Sequence, residues 1–424
     1  MVPTALLLVS LCAPQGGYTL HPGDLVIADS SYNANIQDGA IRIYRANGAV
    51  NTVAHGSPLD SPTDVIVDRD GAILFSNYRS QWAPDNGIYR VDPGTGAVTQ
   101  VDDPNTILDD LFQFCRDTRG DLIVADGYQG LARVDEAGMI HWFSPPSAGF
   151  DVSIGIALDY DGSFISSEAP NYFSGSSSPG WIWSVDHLGV RTPIGSDPNL
   201  LPNPNGLALD ADGTILATDY RDDPVPANER HGLVRVDRGG QMTRLEWTGL
   251  SDPTDVEVVG AGYNLICDAG DQTIFLDPAG PGIRSLVSEH DDGNPSNGLP
   301  IDRPFGIALV PWLWLTTPMT VAIHQPAAVT VRTLPAFAGA DLVLAISKDQ
   351  AATPMAGWWS GDPQTSHVDL GRAVLVRQQI PANGVVNLRA RVPNDPGLVG
   401  RELHLQAFLP SRRLLSNYVA LPVR

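Results

Sequence analysis

The chain has 424 residues, 42 of them Gly and 35 Pro, and its 26 basic against 48 acidic side chains give a net charge of −22. That length can bury one large core and a second smaller one, and the wealth of turn residues points to a β protein. So acidic a chain repels phosphate backbones, which excludes nucleic acid as a partner, and no segment is apolar for long enough to cross a bilayer.

Residues 1–17 hold an apolar run at 5–12 followed by Ala-Pro-Gln-Gly-Gly. They read as a secretory signal peptide that lacks the usual basic start, so the product is expected to be exported.

Residues 18–314 are built on one repeat. Its clearest copy, PNGLALDADGTILATDY at 204–220, reads as a short apolar strand, a turn with Gly213 free to take positive φ, and a β-rich return strand. Variants start at Ser61, Phe112, Ser153 and Asp252, while the segment at Gly23 has only the second strand and that at Arg303 only the first. The polar residues that end the second strands, Asp29, Asn77, Asp126, Glu168, Asp219 and Asp268, are 48, 49, 42, 51 and 49 residues apart. Short strands repeating at that period predict a β-propeller. A third strand, opened by Gly87, Gly130, Gly180 and Gly232, and then a fourth give six four-stranded blades. Residues 23–53 supply three strands of the first blade and residues 304–310 its innermost one, a closure that removes exposed sheet edges.

In an up-and-down blade, the start of the first strand and the end of the second share one rim. The strand-ending residues gather there with Asp64, Gln113, Asn205 and Asp255, and long loops after Ser30, Tyr78, Ala169 and Tyr220 rise from the same side. Loops on a rigid scaffold are where function is placed. The candidate ligand-binding rim therefore comprises Tyr78, Trp82, Glu168, Tyr172, Asp219, Tyr220, His231 and Glu257. Its rings can stack on a sugar or another flat ligand, and its histidine can act as a base. The ligand or partner itself, whether small molecule, glycan or protein, is not specified. Glu257 stands where other blades have Ile66, Cys115, Ala157, Ala208 and Ala308, so a carboxylate is expected in a narrow, partly dry channel. Aspartates at strand ends and turns have a simpler role, bonding nearby backbone N–H groups. Asp64, Asn205 and Asp255 are less uniform, and oxygen ligands converging on a channel mouth suit Ca²⁺ or a similar divalent cation. Cys115 and Cys267 fall at apolar positions on opposite sides of the ring and read as buried free thiols. From residue 315 onward there are ten basic and six acidic residues, so the propeller itself carries −26.

The repeat xGxAxDxDGxxxxxD followed by GxxRVD resembles the NHL-type and gluconolactonase-like six-bladed propellers over about residues 23–311. Gluconolactonase-like lactonases hold a divalent metal at the channel mouth through Glu, Asn and Asp residues at the starts of innermost strands, and an Asp also serves as base. On this resemblance Asn205, in Pro-Asn-Gly-Leu, takes the family's Asn position. The next blade has Thr254 in that slot with Asp255 one residue later, and the first blade has Phe305 where the family has Glu. The resemblance implies a divalent-metal-dependent hydrolase or lactonase acting through Asn205, Asp255 and Asp64, an alternative to a propeller that binds a ligand or partner through its rim. The segment DGSFISSE at Asp161 is also similar to the repeat of streptogramin lyases, but their paired catalytic histidines have no counterpart.

Residues 315–424 alternate apolar and polar residues in short runs, as in VTVRTL at Val329, DLVLAIS at Asp341 and ELHLQAFLP at Glu402, which predicts a β-sandwich. The stretch IPANGVVNLRARVPNDPGLVGRELHLQAFLPSRRLLSNYVALPV resembles a C-terminal module of large secreted bacterial proteins. That implies a secreted, periplasmic or cell-surface location in a bacterium; it assigns no activity.

Overall fold

The computed structural model describes residues 17–423 apart from connecting segments, the longest being 31–38, 79–85, 146–151, 170–178, 220–231, 289–302 and 355–364. The described chain is all-β, and its first part folds into six antiparallel four-stranded sheets. From inside outward, sheet two contains Pro62–Val67, Ile73–Asn77, Gly87–Val91 and Val98–Gln100. Sheets three to six repeat this order, with inner strands Leu111–Arg116, Val152–Leu158, Pro204–Leu209 and Pro253–Gly260. Sheet one is assembled from both ends: Pro304–Leu309 is innermost and pairs with Leu25–Asp29, Leu25 lying opposite Leu309 and Ile27 opposite Ile307.

The ring closes through its cores. Each pair of neighbouring sheets shares one apolar cluster: Val26 and Ile41 with Phe75, Leu74 with Phe114, Ile123 with Phe164, Ile165 with Leu207, and Leu216 with Val256. The sixth cluster joins Leu265 and Cys267 of sheet six to Leu25, Ile27 and Ile307 of sheet one. Covered on both faces, the second strands are buried along their whole length, so they read as continuous apolar runs rather than alternating ones. Cys267 is buried, Cys115 is half-buried, and both are free thiols.

In sheets two to five the turn between the first two strands is the same. Asp68 N–H bonds Ala72 O and Gly71 N–H bonds Asp68 O, and Gly71 takes a φ of 89° that only glycine adopts freely. Asp92, Asp135, Asp186 and Asp237, which end third strands, each accept two backbone N–H bonds from the following turn. The acidity of the propeller thus has a largely local, structural origin.

Beyond the ring, one sheet contains Leu313–Thr316, Pro326–Thr333 and Val385–Arg391, and another is built around Asp341–Ser347 and Glu402–Leu409. Val329, Val331 and Val386 of the first share a core with Leu342, Leu344 and Leu405 of the second. Leu313–Thr316, at the end of the stretch expected to be propeller, pairs with Pro326–Thr333 instead.

Candidate functional site

Where each inner strand enters its sheet, the pairing register slips, between Pro62 and Asp64 in sheet two and at the corresponding place in the other five. Such bulges leave a backbone group unpaired in the ladder. The six N–H groups just past them, one per sheet, belong to Val65, Phe114, Ile156, Leu207, Val256 and Ile307. Three side chains take up all six. Asp64 accepts from Val65 N at 2.7 Å and from Phe114 N of the next sheet at 2.8 Å. Gln113 Oε1 accepts from Ile156 N and Leu207 N, each at 3.0 Å. Asp255 accepts from Val256 N at 2.8 Å and from Ile307 N at 2.9 Å. Gln113 Nε2 then donates to Asp255 Oδ1 at 3.0 Å and to Leu207 O at 3.2 Å. These residues form a clasp that spans the channel and satisfies the polar groups left by the bulges, as buried backbone requires.

The sequence permits this because one slot of the repeat holds a large polar residue in three sheets and glycine in the other three. Asp64, Gln113, Gly155, Gly206, Asp255 and Gly306 occupy equivalent positions two or three residues into the inner strands. Six side chains cannot share the axis. A Cβ on Gly206 would lie 2.6 Å from Asp255 Cα, and one on Gly306 would lie 2.5 Å from Asp64 Cα.

The clasp gathers acids in a poorly solvated place. Burial raises the pKa of Asp64 well above the ordinary carboxylate value; the neighbouring Asp255 and Glu257 add to this, and the two backbone N–H bonds oppose it. Asp255 is raised in the same way by burial, against its N–H bonds from Ile307 and Val256. Glu257, two residues further along the channel, is pushed up to about 8 by burial and then by Asp255.

Above the clasp lies a shallow depression of about 230 Å³, including its open side, lined by Thr63, Phe112, Asn205, Thr254 and Phe305 together with Asp64, Gln113, Gly206 and Asp255. Its enclosed part has room for about one water-sized group. The two hydroxyls are used within the wall: Thr63 Oγ1 donates to Leu111 O at 2.8 Å and Thr254 Oγ1 to Pro304 O at 3.2 Å. The Asn205 side chain, only 5% exposed, has its Nδ2 without a hydrogen-bond partner. The Arg303 guanidinium lies 5.0 Å from the Phe305 ring centre and 3.9 Å from Asp252.

Of the metal ligands expected from sequence, Asp64, Asn205 and Asp255 do line one depression, although Asn205 sits one residue before the slot of the two acids. They fit a hard cation poorly as arranged. Such ions take six to eight oxygens, more than two carboxylates and one carboxamide supply, and among the described residues no three His, Cys, Asp or Glu side chains are grouped to hold an ion. Of the expected rim residues, Trp82, Tyr172, Tyr220 and His231 lie outside the described residues. Tyr78 is half-buried and its phenol is pushed up to about 12, chiefly by burial. Asp219 is buried, accepts from Asn203 N at 3.0 Å and pairs with Arg244 at 3.3 Å. Asn77, Asp29 and Asp268 likewise accept the N–H of a residue leading into their own inner strand. Glu168 departs from this pattern: it is fully buried and paired with Arg191, whose guanidinium also bonds Ser144, and burial lowers Arg191 to about 10. Sequence reasoning set Gln113 on the rim without giving it a role, named Phe305 only as standing where the resembling family has Glu, and passed over Phe112. The missed signal was the slot that holds Asp or Gln in some sheets and Gly in the others, visible only once all six inner strands are set in register.

No family model matches the chain, and no curated protein resembles it in sequence. Among solved structures it is similar to a streptogramin B lyase, with 13% identity and a TM-score of 0.46 over 65% of this chain and 86% of that one. It is similar too to the extracellular domain of a hybrid two-component system of B. thetaiotaomicron, at 10% identity and a TM-score of 0.34 over 94% and 67% of the two chains. A third is YCF48 bound to D1 peptide, at 9% identity and a TM-score of 0.35 over 64% and 86%.

Proposed function

We propose that this chain is an exported propeller that binds a ligand or partner at its loop-bearing rim, centred on the depression above the channel clasp. The observation that carries the reading is the clasp: Asp64, Gln113 and Asp255 are each tied to backbone N–H groups of two sheets, which makes the mouth a pre-organised frame. Pre-organisation of this kind favours recognition by lowering the ordering cost of binding. Export rests on the apolar run before residue 17 and on the resemblance of the C-terminal segment to modules of secreted bacterial proteins. The reading is tested with binders found among small molecules, glycans and secreted proteins. Phe112→Ala or Asn205→Leu should weaken them about tenfold, the worth of one well-placed contact; binders indifferent to both substitutions place recognition elsewhere.

A second reading, a divalent-metal-dependent hydrolase of the gluconolactonase-like kind, is favoured by one observation, the unpartnered Asn205 carboxamide beside two carboxylates. Calorimetric titration of Ca²⁺ and Zn²⁺ into chelator-treated protein decides it. Absence of binding at millimolar metal removes this reading, whereas binding abolished by Asn205→Ala supports it.

A further inference from the structure

We propose that the channel mouth is a socket for a primary ammonium group, carried by a partner's lysine side chain or by a free alkylamine. This names the ligand of the rim-binding reading and rests on it. Three features of the depression select that chemistry.

The first is size. The enclosed part admits about one water-sized group, which an –NH₃⁺ matches. A guanidinium, a quaternary ammonium or a sugar ring is too large to enter and could only lie over the opening.

The second is the acceptor set. Asp64 and Asp255 bond only backbone and carboxamide N–H groups among the described residues, and neither has an ion-pair partner there. Two buried carboxylates without a counter-charge are costly, and an ammonium brings one. Asp255 Oδ1 already accepts two bonds, but Asp255 Oδ2 and both oxygens of Asp64 hold a single N–H each and keep a second lone-pair direction, so the N–H bonds of the clasp need not break. Asn205 is the independent sign that a ligand belongs here: its carboxamide is buried, lines the depression and leaves Nδ2 unpaired. A half-turn about its Cβ–Cγ bond exchanges Nδ2 for Oδ1 at almost no cost in packing. An ammonium has three donors and no acceptor, and Asp64, Asp255 and Asn205 provide three acceptors.

The third is the apolar wall. Phe112 and Phe305 line the same opening, where they would contact the methylenes of the incoming chain and face its charge. Phe305 already carries the Arg303 guanidinium, a positive charge near the mouth that Asp252 partly offsets. The −26 of the propeller draws cations to this surface from a distance.

The test is calorimetric titration at constant ionic strength of n-butylammonium, butan-1-ol and tetramethylammonium, and of a blocked tripeptide with a central lysine. Saturable one-to-one binding of n-butylammonium is expected. Butan-1-ol, with the same shape and no charge, and tetramethylammonium, too large for the socket, should each bind at least about tenfold more weakly. Asn205→Leu loses no hydrogen bond of the folded chain, so it should fold and weaken n-butylammonium by a similar factor. If the peptide binds much more tightly than n-butylammonium, the source is a partner's lysine; if the two are equal, it is a free amine. Equal affinity for butan-1-ol, indifference to Asn205→Leu, or no saturable binding of any amine overturns the proposal. In that event a binder of other chemistry that is lost in Phe112→Ala leaves the rim reading standing, whereas binders indifferent to Phe112 and Asn205 overturn both.

Discussion

Replacing Gln113 by Leu removes a residue that ties sheets three, four, five and six together. The substitution keeps side-chain volume near its original value but strips the acceptor from Ile156 N and Leu207 N and the donor from Asp255 Oδ1. An N–H left buried without a partner costs roughly 1–3 kcal/mol, so two cost about 2–6 kcal/mol. A water in the adjacent depression can satisfy one of them, and the added apolar surface of Leu returns about 1 kcal/mol. One unpaired N–H (about 1–3 kcal/mol), less about 1 kcal/mol for Leu and plus about 1 kcal/mol for the lost Gln113–Asp255 bond, gives an expected net loss of about 1–3 kcal/mol, read as a lower urea midpoint for unfolding of the propeller at an unchanged slope. Gln113→Glu discriminates further, because it keeps an acceptor oxygen but adds a carboxylate to an already acidic channel. It should destabilise more at pH 8 than at pH 5. A Gln113→Leu protein within about 0.5 kcal/mol of the parent, the range of ordinary surface changes, would refute the clasp as a stabilising device.

Glu257→Gln tests the electrostatics of the channel. A carboxyl raised from 4.5 to about 8 on folding makes the folded state the better proton binder between those values, so stability falls as pH rises through that window. The full shift corresponds to roughly 5 kcal/mol at most, and the partial exposure of Glu257 to channel solvent leaves about half. The variant should match the parent near pH 4 and melt several degrees higher at pH 8.5; equal melting temperatures at both pH values would contradict the raised carboxyl. Gly306→Ala places a methyl 2.5 Å from the Asp64 Cα, which side-chain motion cannot relieve. It should cost about 2–3 kcal/mol in urea unfolding, and a neutral result would show that the inner strands are free to separate. Arg191→Met strands the fully buried Glu168 carboxylate and should cost about 3–5 kcal/mol, with Glu168→Gln in the same chain recovering much of it.

Much of the architecture was legible because it is repeated. Any one copy of strand, turn and strand is ambiguous, but five copies and two partial ones at a near-constant period are not. The partial copies at Gly23 and Arg303 predicted that Leu25–Asp29 would pair with Pro304–Leu309, as it does. The turn aspartates were legible for the same reason: their partners lie within a few residues, and local chemistry settles them. The site was less legible. Asp64 and Asp255 stood out in sequence as free oxygen ligands, but what each accepts is an N–H from the neighbouring sheet, about 50 residues away in the chain. Gln113 bonds Asp255 across 142 residues, and no local pattern carries that distance.

By itself, then, the amino-acid sequence determined the repeat, the strands and their turns, which depend on residue types and contacts that recur at short range, and the closure of the first sheet, because the two half-copies at its ends complete one another. Only the tertiary structure decided which polar side chains face the channel axis and what they bond there. That choice depends on six bulged strands converging on a space that holds three large side chains and leaves glycine to the other three.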